Sequence, residues 1–202
     1  MIRLVKSKKE QKENIVLKEE YTLLCIDPSY KQSGIAVLKI TNPNKDQIPN
    51  INNKLVEILD YKIIPNDSKN IGKSLMNVEY QITEYIKKYN PNYCTIEQCF
   101  VSSNRLTAQR LSQVHGVLLL TLSKFNIPDF YYSVMTAKSQ TLGGVKLKKE
   151  DGTKKTGNEL KKEVADKIIE IFNKPQLKKE PSDITDAISI GVTFIKLGGN
   201  KK

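Results

Sequence analysis

Four acidic residues, Asp27, Glu97, Asp183 and Asp186, have the types and settings to do chemistry. Asp27 closes the apolar run Leu23-Leu24-Cys25-Ile26, and Glu97 follows Thr95-Ile96. A carboxylate at the end of a buried strand is costly unless something pairs with it, and a metal ion is one such partner. Asp183 and Asp186 stand three apart at the start of an expected helix, so both project from one face. The helix N-terminus also favours their ionised forms. Brought together, the four would repel one another unless divalent cations lay between them, and an all-oxygen set suits Mg2+. Each has an ordinary reading as well. Asp27 could be a turn residue beside Pro28, Glu97 a solvated strand end, and Asp183 and Asp186 acids that improve the helix dipole. The one histidine, His115 beside Gly116, reads as a packing or interface residue and leaves no zinc site of the usual kind. Gly72-Lys73-Ser74 is similar to the end of a phosphate-binding loop, but Asp67 stands where that motif needs Gly, and the loop is rejected.

The elements that must position these acids follow from periodicity. A strand over 21–27, a second over 34–41 and a third over 54–64 make an antiparallel meander, with a polar connection over 42–53. Helical spacing of Ile71, Leu75, Val78, Ile82 and Ile86 predicts a helix to about residue 88. A fourth strand over 92–98 and a long helix over 103–124 follow, the latter burying Leu106, Leu111, Val114, Val117 and Leu118. A fifth strand is expected over 130–135. Residues 138–162 read as a basic connection with a flexible hairpin, marked by Gly143-Gly144 and Asp151-Gly152. A helix with Leu160, Val164, Ile168 and Phe172 on one face comes next, then a last helix with Ser182 as N-cap. That order predicts an α/β protein with a mixed five-stranded sheet and helices on both faces. Residues 1–20 read as a polar extension with a candidate edge strand around 15–17, residues 21–196 as one domain, and residues 197–202 as a short basic tail.

With 202 residues and a net charge of +11, the chain suits a polyanionic partner, nucleic acid before membrane. Nearly half that charge lies in 138–162, where Lys138, Lys146, Lys148, Lys149, Lys154, Lys155, Lys161 and Lys162 face three acids. The longest apolar stretch, 116–122, is too short to span a bilayer, and the N-terminus has no apolar core of a signal peptide. Three cysteines without CxxC spacing predict reduced thiols in a cytoplasmic protein, and the Lys- and Asn-rich composition suits a low-GC bacterium or its phage. An acidic centre on a basic chain reads as a metal-dependent nuclease. Two ions about 3.5–4 Å apart activate a water and stabilise the leaving oxygen of a phosphodiester.

Three ordered motifs carry a resemblance. Leu24-Cys25-Ile26-Asp27-Pro28-Ser29 with Ser33-Gly34, Thr95-Ile96-Glu97-Gln98 with Phe100, and Asp183-Ile184-Thr185-Asp186-Ala187 are similar to the motifs of the RuvC family of Holliday junction resolvases. The likeness runs from about residue 21 to 195. It implies a ribonuclease H-like fold and a homodimer that resolves four-way DNA junctions by paired cuts. It also implies two Mg2+ ions per site, with Mn2+ able to substitute, held by Asp27, Glu97, Asp183 and Asp186. Asp183 falls where some relatives carry His. By the same resemblance Phe100 matches an aromatic that stacks on junction bases, and Lys138 and one of Lys161 or Lys162 match basic positions near the scissile phosphate. Ser29 stands where many relatives have Gly, and the 139–158 connection is longer than in typical bacterial members, as in the more divergent phage-type resolvases. A broader branched-DNA or flap endonuclease, and a non-catalytic basic DNA-binding protein on the same scaffold, are the competing readings. A sugar-kinase or actin-like ATPase ranks last, because no Gly-rich phosphate loop follows Asp27.

Overall fold

Alternation along the strands sets the architecture. In a computed structural model, which describes residues 17–41, 51, 55–67, 69–98, 104–144, 148–151 and 153–199, five strands form one mixed sheet. They are β1 (Glu20–Asp27), β2 (Gln32–Thr41), β3 (Val56–Pro65), β4 (Tyr93–Glu97) and β5 (Asp129–Tyr132), in the order β3-β2-β1-β4-β5. β1 pairs antiparallel with β2 and β2 with β3, whereas β4 runs parallel to both β1 and β5. Both faces of β1 are covered, which is why its sequence reads as an unbroken apolar run.

Successive β1 side chains go to opposite faces. Leu24 and Ile26 pack with Ile35 and Val37 of β2 under two helices, α1 (Ile71–Tyr89) and α2 (Arg105–Lys124), through Val78, Ile82, Val114 and Leu118. Leu23 and Cys25 pack on the other face with α4 (Gly157–Phe172) and α5 (Ser182–Leu197). Every residue of α5 from Ile184 to Ile195 is buried, as expected for a helix apolar nearly all round. It lies on β1, β2 and β4 and is closed over by α4 and α3 (Val134–Leu142). Among the described residues no helix is long and apolar enough to cross a membrane.

Several boundaries differ from the sequence expectation. The fifth strand ends at Tyr132, and Ser133 caps α3 by accepting from the Thr136 amide. So the segment read as strand end and basic connection begins with a helix. Ser182 is not an N-cap: Pro181 holds that position without a side-chain cap bond, and the Ser182 carbonyl accepts from the Thr185 hydroxyl. Leu106, expected inside, is 56% exposed in the first turn of α2, beyond the reach of the sheet core, which that helix first meets at Val114. A short 3-10 helix over Pro175–Lys179 precedes α5. The expected hairpin survives as one antiparallel bridge between Lys148 and Lys154. Leu17 packs on the core ahead of β1, while the rest of the proposed edge strand, with Cys99, Phe100 and Lys146, lies outside the described residues. Cys25 and Cys94 are free and buried.

Candidate active site

Asp27 and Glu97 are the last residues of β1 and β4, two adjacent parallel strands. The last registered pair is Ile26 with Ile96, so the two acids leave the sheet side by side. Strand alternation sends both to the face of Leu23, Cys25 and Tyr93, the face that α5 covers. From that helix Asp183 and Asp186, in its first two turns, meet them. Gly34 makes the approach possible. A Cβ there would stand 2.1 Å from the Asp183 carbonyl oxygen, so only glycine lets α5 begin directly on β2.

Asp27, Glu97 and Asp186 are all pushed in one direction. Asp27, 7% exposed, is held well above the usual carboxylate range, by burial first and then by the charges of Glu97, Asp186 and Asp183. Burial, then Asp186, raises Glu97 to about 7, although a hydrogen bond shared with Asp27 opposes the rise. Asp186 is raised by burial against the pull of Lys161, whose ammonium sits 2.8 Å from its Oδ2. Burial works to lower Lys161, but its contact with Asp186 and the charges of Asp27 and Asp183 outweigh it. Lys138 is buried on α3, and its charge favours the ionised forms of Glu97 and Asp186. Asp183 Oδ2 accepts a 2.9 Å hydrogen bond from the Gln32 side-chain amide.

The structure thus gathers Asp27, Glu97, Asp183, Asp186, Lys138 and Lys161. Of the two candidate lysines on α4 it turns Lys161 toward the acids and leaves Lys162 exposed. Lys148 and Lys154 are exposed, whereas Lys149 pairs with Glu159 and Lys155 with Glu163 at 2.6 Å, tying the inserted segment to α4. His115 packs its ring on Tyr131 at 6.3 Å, and burial holds it below its ordinary range. Gln32 had no sequence signal; it is the first residue of β2, at the end of a polar connection where neither periodicity nor motif marks it.

Among the described residues no group of three or more His, Cys, Asp or Glu side chains is arranged to grip a metal ion as the site stands. Lys161 and Gln32 each occupy a carboxylate oxygen instead. The donor set nonetheless fits a hard divalent cation. It is all oxygen, with Asp27 and Asp186 buried and Glu97 and Asp183 half-buried, and ionisation of Asp27 and Glu97 is disfavoured by burial and then by neighbouring negative charge that a cation would relieve.

Comparison with known proteins agrees with this arrangement. The family model "Crossover junction endodeoxyribonuclease RuvC" matches residues 23–194. The RuvC of Ehrlichia ruminantium strain Welgevonden is 28% identical over 174 residues, 86% of this chain and 95% of that protein. That of Histophilus somni is 28% identical over 172 residues, 85% of this chain and 77% of that protein. Among solved structures, Thermus thermophilus RuvC in complex with a Holliday junction substrate superposes with a TM-score of 0.67 at 16% identity, covering 88% of this chain and 94% of that one. The yeast mitochondrial Holliday junction resolvase follows at 0.54 and 15%, covering 86% and 77%. These likenesses give the fold as ribonuclease H-like, with the mixed five-stranded sheet described above. The chain belongs to the RuvC family of crossover junction endodeoxyribonucleases.

Proposed function

We propose that this chain is a metal-dependent, structure-specific DNA endonuclease that resolves four-way junctions by paired strand incisions, acting as a homodimer. The observation that carries the reading is the convergence of four carboxylates from β1, β4 and α5 at one edge of the sheet, flanked by Lys138 and Lys161, in a chain that belongs to this family. The relatives it resembles are named crossover junction endodeoxyribonucleases, and one of similar fold was solved with a Holliday junction. Residues 21–196 form the nuclease domain on this reading, with 1–20 and 197–202 as appendages.

Asp27, Glu97, Asp183 and Asp186 would hold two Mg2+ ions, or Mn2+ in their place. Bound there, the ions supply Lewis-acid activation of water and stabilisation of the leaving oxygen. The rest is the work of the side chains. Burial of Asp27 and Asp186 excludes bulk water and strengthens each electrostatic contact. Lys161 and Lys138 bring positive charge to the edge of the acidic centre, where a scissile phosphate needs it. Lys148, Lys149, Lys154 and Lys155, with Lys146 and Lys162, extend that charge along the backbone of the DNA, and Phe100 stacks on an unpaired base.

The test is a labelled four-way junction, a flap and a linear duplex, each incubated with Mg2+ or with EDTA. Cleavage confined to the junction and abolished by EDTA is expected. Asp27→Asn should remove cutting while leaving junction binding intact or tighter, because one negative charge fewer repels the phosphates. Equal cleavage of flap and junction would replace the resolvase reading with a general branched-DNA nuclease. An Asp27→Asn protein that cuts like its parent would remove the carboxylate site.

A further inference from the structure

Each of the four carboxylates has a partner, and the partners differ in kind. Asp27 and Glu97 hold one another, and Asp186 is held by the cationic Lys161. Asp183 is held by a neutral group, the side-chain amide of Gln32, 151 residues away in sequence. A cation on a carboxylate competes with a metal ion for it. A neutral amide takes one oxygen and leaves the charge and the other oxygen available. It does not titrate, so its grip is the same at every working pH.

The residue that donates is itself braced. Gln32 opens β2, in register with Pro65. The loop before it is pinned from the end of β3: Asn66 donates its backbone N–H to the Lys31 carbonyl at 2.9 Å and its side-chain amide to the Ser29 carbonyl at 2.7 Å. The Ser29 amide donates to Ser33 Oγ at 3.2 Å. Two residues beyond Gln32, Gly34 lies against the Asp183 carbonyl. The start of β2 therefore fixes Asp183 twice, backbone by Gly34 and side chain by Gln32. Asp183 needs it. It sits half-buried in the first turn of α5, where no side chain caps the helix, and it lies close enough to Asp27 and Asp186 for its charge to act on both.

We propose that Gln32 is a positioning residue for metal binding: its amide holds the Asp183 carboxylate in the orientation in which it faces Asp27 and Asp186, without lowering the negative charge that draws the cation. The inference rests on the reading of the acidic centre as a metal site. A partner that orients a ligand in this way typically accounts for 10–100-fold in metal affinity, and a neutral, half-exposed donor belongs at about tenfold.

The experiment uses the full chain without DNA and follows free Mn2+ by electron paramagnetic resonance during titration. Gln32→Leu and Gln32→Ala, which remove the donor, should each bind Mn2+ about tenfold more weakly, with the melting temperature of the metal-free protein unchanged. In junction cleavage the half-saturating Mg2+ should rise by the same factor, while the rate at saturating Mg2+ stays at the parent value. Mn2+ binding equal to the parent in both variants overturns the inference and leaves the proposed function standing. So does a fall in the saturated rate alone, or a collapse of the metal-free melting temperature in both variants, which would make Gln32 a folding residue. A parent chain that takes up no Mn2+, alongside an Asp27→Asn control that behaves the same, takes down the metal centre and this inference together.

Discussion

Glu97 carries the pH dependence of the acidic centre. Burial and the charge of Asp186 raise its pKa from 4.5 to about 7 in the folded protein. Between those values the metal-free native state keeps a proton that the unfolded chain has released. By linkage its stability therefore falls as pH rises through that window, by up to about 3 kcal/mol for a shift of this size. Asp27, raised for the same reasons, adds in the same direction. The melting temperature of metal-free protein should drop from pH 5 to pH 8. Mg2+ should cancel the drop, and Glu97→Gln should flatten it. Half-saturating Mg2+ should rise as pH falls below 7, because protons and cations compete for one carboxylate pair. A pH slope in Glu97→Gln equal to that of the parent would assign the effect elsewhere. At this scale the sequence was readable where chemistry and period coincide. Residues 23, 25 and 27 share a face, so an acid at the end of that series had to meet whatever covers it. Gln32 was not readable, because a single amide where a polar connection meets β2 has no period, and its partner is brought near only by folding.

The packing of α5 on the sheet shows what an element needs in order to deliver two acids to one point. Gly191 lies against β1 and β2, where a Cβ would stand 2.5 Å from Cys25 Sγ and 2.6 Å from Leu38 Cδ1. Glycine inside a helix costs about 1 kcal/mol relative to alanine, so it is retained for close approach. Gly191→Ala should destabilise the protein by about 1–3 kcal/mol in spite of its better helix propensity. Adding Cys25→Ala should recover part of the loss in a urea titration. A Gly191→Ala chain more stable than its parent would mean that α5 has room to move off the sheet. Elements that bury an apolar face were legible, as with α4, where Leu160, Val164, Ile168 and Phe172 are its buried residues. The helix α3 was missed for a physical reason. Its buried residues are Ala137, Lys138 and Thr141, so it presents no apolar period, and only the Ser133 cap and the Gly143 stop mark its ends. That gap mattered, since α3 is what brings Lys138 to the acids.

Resolution of a four-way junction sets a requirement on the whole molecule, because two strands of like polarity must be cut and one acidic centre serves one strand. A two-fold dimer meets that symmetry. On α2, Leu106, Gln113 and Leu120 recur at seven-residue steps and are exposed, Leu106 at 56% and Leu120 at 58%. Gly116, on the same side, has open space where a Cβ would stand. A period of seven on an exposed side is the pattern by which one helix packs along another, and the sheet core already occupies the opposite side through Val114, Leu118 and Leu122. The covered face was legible in the sequence from Val114 onward. The exposed one was legible only in the run 116–120, which is apolar nearly all round, because Leu106 obeys the helical period equally well whether a sheet or a second chain covers it. The chain should therefore sediment as a dimer, and the Leu106→Glu/Leu120→Glu protein as a monomer that keeps its fold and its Mn2+ binding. On a cruciform plasmid the parent should yield linear DNA directly, through near-simultaneous cuts. The monomeric variant should accumulate nicked circles, since each encounter delivers one acidic centre. A charged variant that remains dimeric would move the interface off α2, and a monomeric parent that only nicks would reject paired incision and leave a branched-DNA nuclease on the same four carboxylates.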